Sequence, residues 1–258
     1  MKFNSKLSPA LTVMTVILAA TVFSNLAYAK KEKKMTKQSA SQTTIPEAQA
    51  PAVAAAPAET APITYQINTL ASEEKFEDTN IDKSRTLVAG DKQTELKLVN
   101  YGLRKKAVFG LVPVRVYVAQ FFAAQPEKLT RTEDGILASL KNAGPVQLRL
   151  TFLRDLPGPK IADSFKEGLE ANKINPKTMS AELQQVMNVI SAIDEFKKGE
   201  SFSITGVWTD KSSSILLENS TEIKVITGSP EFADHIFSIW FAKPADGKLG
   251  ELKKTLIK

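Results

Sequence analysis

Arg104, Arg115 and Tyr117 fall within one stretch, YGLRKKAVFGLVPVRVYVAQFF (residues 101–122), whose second half alternates like a β-strand. A guanidinium offers a planar fork of N–H donors that matches a carboxylate or an enolate. A phenol adds one further donor. Beside a wall of Val and Phe, such a pair suits an amphipathic acid, with its head on the polar groups and its tail along the apolar ones. On a solvated strand face, or with the arginine satisfied by an internal carboxylate, the same residues do no chemistry. Arg and Tyr are common on strands, so spacing alone favours that plainer reading.

A hairpin must position these groups. Gly110-Leu111 suits a two-residue turn with glycine first. In that register Arg104 faces Tyr117, and Lys106 faces Arg115 as an unfavourable like-charge pair. One face then carries Arg104, Lys106, Arg115 and Tyr117. The other carries Leu103, Ala107, Phe109, Val112, Val114, Val116 and Val118. Pro113 removes a ladder donor and marks an edge or a bulge. A slip of one residue there flips every assignment.

Other chemistries have little to build on. The chain has no cysteine and a single histidine, His235. Disulfides, thiolate catalysis and a lipidated cysteine are excluded, and a conventional zinc site or His-based triad is disfavoured. His235 sits beside Ile236 and Phe237 in an amphipathic helix and reads as a packing or surface residue. Trp208 and Trp240 read as core. Asp155, Asp163, Glu167 and Glu170 surround a helix start, where carboxylates are favoured anyway. They make a weak acid–base pair and a weaker metal site, so no cofactor is expected. The net charge is +6 over 258 residues. No basic patch with interleaved aromatics appears, so nucleic acid is not an expected partner.

Residues 1–29 read as an export signal: a positive start, an uncharged run and a small-x-small site at Ala27-Tyr28-Ala29. Lys30, Lys31, Lys33 and Lys34 follow at once and oppose an uncleaved anchor. The expected location is the periplasm of a Gram-negative bacterium. Residues 30–63 have no aromatic residue and are rich in Ala, Pro, Thr, Gln and Lys, the composition of a disordered tether. Its basic run allows a weak membrane-surface contact. Residues 64–258 form the folded domain, long enough for one substantial core.

Within that domain, strands are expected over 63–70, 86–90, 94–109, 112–124 and 145–155. Val146, Leu148, Leu150 and Phe152 share one face of the last, and Gln147, Arg149 and Thr151 the other. Two amphipathic helices follow, with Ile161, Phe165 and Leu169 on one and Met179, Leu183, Val186, Ile190 and Ile193 on the other. Three short strands at hairpin spacing come next. Ser229-Pro230-Glu231 starts a helix, and GKLGELKKTLI forms the last one. This order gives an α+β fold: an antiparallel sheet with helices gathered on one face.

The same hairpin, LKLVNYGLRKKAVFGLVPVRVYVAQFF, resembles the signature hairpin of the chalcone isomerase family. It is most similar to the fatty-acid-binding and bacterial chalcone isomerase-like branches, with their Gly-x-Arg-x-Lys and Val-Tyr-x-Ala patterns. VQLRLTFLRDLPGPKIADSFKEGLEAN, IDEFKKGESFSI and GSPEFADHIFSIWFAKPADGKLGELKKTLI resemble later segments in the same order, so the likeness spans residues 86–257. It implies an open-faced β-sandwich with a cleft between a large antiparallel sheet and a helical layer. It also implies that Arg104 and Tyr117 hold a ligand carboxylate, as their counterparts do in the fatty-acid-binding members. The true isomerases use a threonine on the second hairpin strand, where this chain has Val116 and Tyr117. They also use a tyrosine and an asparagine from the following helical region, and LPGPKIADSFKEGLE (156–170) contains neither.

Three readings stand side by side. The first is an exported, non-catalytic binding protein for a fatty acid or similar amphipathic carboxylate. The second is an isomerase or lyase acting on a chalcone-like or other enone through Arg104 and Tyr117. The third is a structural or interaction module without a small ligand. The sequence leaves the oligomeric state open.

Overall fold

Period-two alternation of apolar residues becomes one wide sheet in this protein. The computed structural model describes residues 63–108 and 112–258. The segment read as an export signal, nearly all of the expected tether and the expected Gly110-Leu111 turn lie outside the described residues. The strands are β1 (Tyr65–Phe76), β2 (Thr79–Ala89), β3 (Lys92–Val108), β4 (Val112–Ala123), β5 (Val146–Phe152), β6 (Leu156–Pro157), β7 (Glu195–Phe196), β8 (Ser201–Trp208), β9 (Ser213–Glu218) and β10 (Ile223–Gly228). Eight of them form one antiparallel sheet in the order β1-β2-β3-β4-β5-β8-β9-β10, and β6 pairs with β7. The helices are α1 (Ile136–Ser139), α2 (Gly158–Ala171), α3 (Ala181–Ser191), α4 (Phe232–Phe241) and α5 (Gly247–Leu256).

The main core lies between one face of the sheet and the helices. Val146, Leu148, Leu150 and Phe152 of β5 enter it, with Ile161, Phe165 and Leu169 of α2 and Leu183, Val186 and Ile190 of α3. These are the faces that the periodicities indicate. Met187 is buried in the same core and Met179 packs against its margin. Helix α4 buries Phe232, Ile236, Phe237, Trp240 and Phe241, and starts after Glu231, two residues later than Ser229. Between β4 and β5 the chain forms only α1 and two 3-10 turns, the second of which ends at Gly144, whose φ of 76° suits glycine.

Two features depart from the sequence reading. Residues 71–85 carry strand, not loop: β1 runs on to Phe76 and β2 begins at Thr79. The turn between them, Glu77-Asp78, has φ of 51° and 62°, and no glycine announces it. The face of β5 opposite the helices is also buried, although it carries Gln147, Arg149 and Thr151. Gln147 is fully buried and donates to Thr205, while Thr151 pairs with Ser201. The sheet curls so far that this face closes on itself. Arg85 of β2 donates to Glu218 of β9 at 2.9 Å, five strand positions away in the sheet. In a flat sheet those strands would be roughly 24 Å apart at about 4.8 Å per step. A side chain bridges them only because the sheet rolls.

Candidate functional site

Arg104 and Tyr117 are opposite partners on β3 and β4. One residue further the register shifts, because Val116 is an extra residue on β4: Lys105, not Lys106, faces Arg115. The bulge corrects the expected arrangement of faces. Lys106 stays with Arg104 on the helix side, where it pairs with Glu167 of α2 at 2.8 Å. Arg115 leaves that face and pairs with Glu77 in the β1–β2 turn at 2.5 Å. Val114 and Val116 move to the helix side and line its cavities. Pro113 lies where β4 pairs with β3 alone, since the β5 ladder begins at Tyr117. Its missing N–H therefore costs no ladder bond on the β5 side.

Arg104 and Tyr117 are 7% and 8% exposed. Both line one cavity of about 50 Å3, with Val116, Leu150, Phe152, Ile161, Phe165, Ile239, Trp240 and Leu249. Three elements close it over the sheet: α2, the C-terminal half of α4 and the first turn of α5. Val116, Ile161, Ser164 and Lys106 also border a second space of about 350 Å3. That groove runs between the outer end of the hairpin and α2, along Val114, Ala107 and Leu156. Arg154, Lys160, Asp163 and Glu167 surround it.

The arginine is not left without a counter-ion. Its Nη1 donates to Asp246 Oδ1 at 2.9 Å and its Nη2 to Asp246 Oδ2 at 2.5 Å. Nη1 also donates to the Lys105 carbonyl. Asp246 is the N-cap of α5 and accepts from the Leu249 N–H at 2.8 Å. Burial pushes its carboxyl upward. The hydrogen bonds from Arg104 and Leu249, with the Arg104 charge, outweigh that and leave it below the ordinary value. The internal-carboxylate alternative is thus what this conformation displays.

Burial raises the Tyr117 phenol, against the nearby charge of Arg104, so it stays protonated at neutral pH. Its oxygen accepts from Trp240 Nε1 at 3.0 Å, which leaves its own proton free to donate. A guanidinium and a phenolic O–H thus converge on one small, mostly apolar space. Such donors suit a carboxylate, and equally an oxyanion formed from an enone.

The remaining candidates stand elsewhere. His235 is half-buried on α4 and does not line the cavity. Trp208 donates to Asp234 at 3.0 Å. Asp155 accepts from the Lys198 N–H, Asp163 pairs with Lys166, and Glu170 is exposed. Among the described residues no cluster of three or more His, Asp or Glu is placed to hold a metal. Sequence reasoning missed two members of the site. Trp240 has the signature of any core aromatic. Asp246 carries a helix-start signal, but nothing in it points to Arg104.

A sequence-family model described as chalcone isomerase-like matches residues 73–257. The chain belongs to the chalcone isomerase-like family. No curated protein matches the chain. Among solved structures, a fatty-acid binding protein of Arabidopsis thaliana superposes with a TM-score of 0.51 at 17% identity. The alignment covers 72% of this chain and 95% of that one. At that identity the likeness establishes the fold, and it agrees with the open-faced α+β architecture of a chalcone isomerase-like protein.

Proposed function

We propose that this chalcone isomerase-like protein is a non-catalytic binder of a fatty acid or similar amphipathic carboxylate. The observation that carries the reading is the convergence of Arg104 and Tyr117 in one cavity that adjoins an apolar groove. The donors suit the head. The groove, along Val114, Val116, Leu156 and Ile161, suits a tail. At about 350 Å3 it lies in the range of small-molecule pockets, roughly 300–1,000 Å3. The cavity at the donors, about 50 Å3, has room for a head group and not for a chain. The Arabidopsis fatty-acid binding protein of the same fold adds support by analogy. Residues 1–29 read as an export signal, and we place the binding outside the cytoplasm. N-terminal sequencing of the mature protein checks this, with a start at Lys30 expected.

Native mass spectrometry of protein purified without detergent tests the ligand. Co-purifying acids are expected on the wild type and lost from Arg104→Ala. Equal occupancy in the two would remove Arg104 from the site.

A second reading is an interaction module without a small ligand. The small closed cavity and the internal pairing of Arg104 favour it. It predicts no bound acid and no thermal stabilisation by any added fatty acid.

A further inference from the structure

The ligand reading above makes Asp246 its own competitor. A carboxylate needs the fork of the Arg104 guanidinium, and Asp246 already holds that fork with both oxygens, at 2.9 and 2.5 Å. We propose that Asp246 is a built-in counter-ion that holds the site closed, and that the head of an amphipathic acid binds by taking its place on Arg104. This rests on the carboxylate-binding reading of the cavity.

Three observations support it. Arg104 is 7% exposed, so the bound anion must replace a partner that burial makes necessary. Asp246 is the less buried partner, its side chain 35% exposed against 9% for Arg104. It can therefore swing to solvent while Arg104 stays in place. Asp246 and Leu249 together form the first turn of α5, and Leu249 is part of the cavity wall. Releasing the carboxylate frees that turn, and its movement enlarges a space otherwise too small for a chain.

A consequence for specificity follows. Exchange of one carboxylate for another on the same arginine contributes little net affinity. Selection then falls on the tail, which must be buried to shift the balance. Short acids such as acetate should not displace Asp246, whereas a ten-carbon acid should.

The test is calorimetric titration of decanoate into the delipidated full-length protein at neutral pH. Asp246→Asn and Asp246→Ser both keep a good helix cap and remove the charge. Both variants are expected to bind decanoate at least tenfold more tightly than the wild type, and acetate is expected not to bind the wild type. Thermal unfolding without ligand checks that each variant is folded. A wild type that binds while neither folded variant binds more tightly overturns the counter-ion and leaves the ligand reading standing. Absence of binding in all three proteins overturns both. Binding by the variants alone supports the counter-ion in its strongest form.

Discussion

Tyr117 and Trp240 depend on one hydrogen bond in the wall of the cavity. Trp240 is 1% exposed, and its Nε1 has the Tyr117 oxygen as partner. Tyr117→Phe keeps the ring and strands that N–H. The cost of an unsatisfied buried donor is about 1–3 kcal/mol, to be read from urea denaturation. Asp246 gives the residue scale a pH signature. Its carboxyl is held below the ordinary value of 3.8. A depressed carboxyl contributes stability that is present above its unfolded value and lost as pH falls through its folded value. Asp246→Asn should therefore flatten the decline in melting temperature below pH 3.8 while leaving its shape near neutrality unchanged. A parallel decline in both proteins would exclude Asp246 from the acid response. The Arg104–Tyr117 pairing was legible only in its outcome: the two-residue turn register fails at the strand ends, where Val108 faces Val112, and the extra residue Val116 restores it at Arg104. Trp240 and Asp246 reach the pair across 123 and 142 residues, and no pattern in one sequence reports such contacts.

At the scale of elements, α2 is positioned by a close backbone approach at its first residue. A Cβ on Gly158 would lie 2.0 Å from the Ile193 carbonyl oxygen and 2.5 Å from that of Ile190. Neither oxygen belongs to a flexible side chain, so α2 or the end of α3 must shift. Ile161, Ser164 and Phe165 of α2 all line the cavity, so this contact helps set its width. Gly158→Ala should cost about 1–3 kcal/mol, the usual range for overpacking, and should weaken decanoate binding as well. Unchanged stability in urea would show that α2 tolerates the shift. The helices themselves were legible, because four-residue periodicity in α2 and α3 reports burial directly. The bulge was only half legible. Pro113 signalled an irregularity, but the extra residue is Val116, and that single step moves Arg115 to the far face of the sheet. The β1–β2 hairpin was not legible at all. Its strands over 71–85 are rich in charge and its turn lacks glycine, so neither alternation nor turn chemistry marks it.

For the molecule as a whole, the curl of the sheet turns a face that reads as polar into a second interior. Its apolar part is small: Leu87, Leu96, Phe122 and Leu216. The rest is a charged network. Arg85, 1% exposed, donates to Ser203 at 2.8 Å and to Glu218 at 2.9 Å, and Arg149 lies 3.2 Å from Asp82. Burial raises the Asp82 carboxyl in spite of Arg149 and Arg85. Alternation along β5 identified both of its faces correctly, but could not tell a polar face in water from one enclosed by distant strands. Such networks tolerate replacement of the whole pair far better than loss of a single partner. Glu218→Leu strands the Arg85 charge and should cost about 3–5 kcal/mol. The double change Arg85→Met with Glu218→Leu should recover most of that loss, because two apolar side chains need no partner. Urea denaturation of the four proteins in the cycle measures the coupling. If Glu218→Leu proves nearly neutral, Arg85 draws its support from Ser203 and Asp82, and the β2–β9 bridge does not hold the curl.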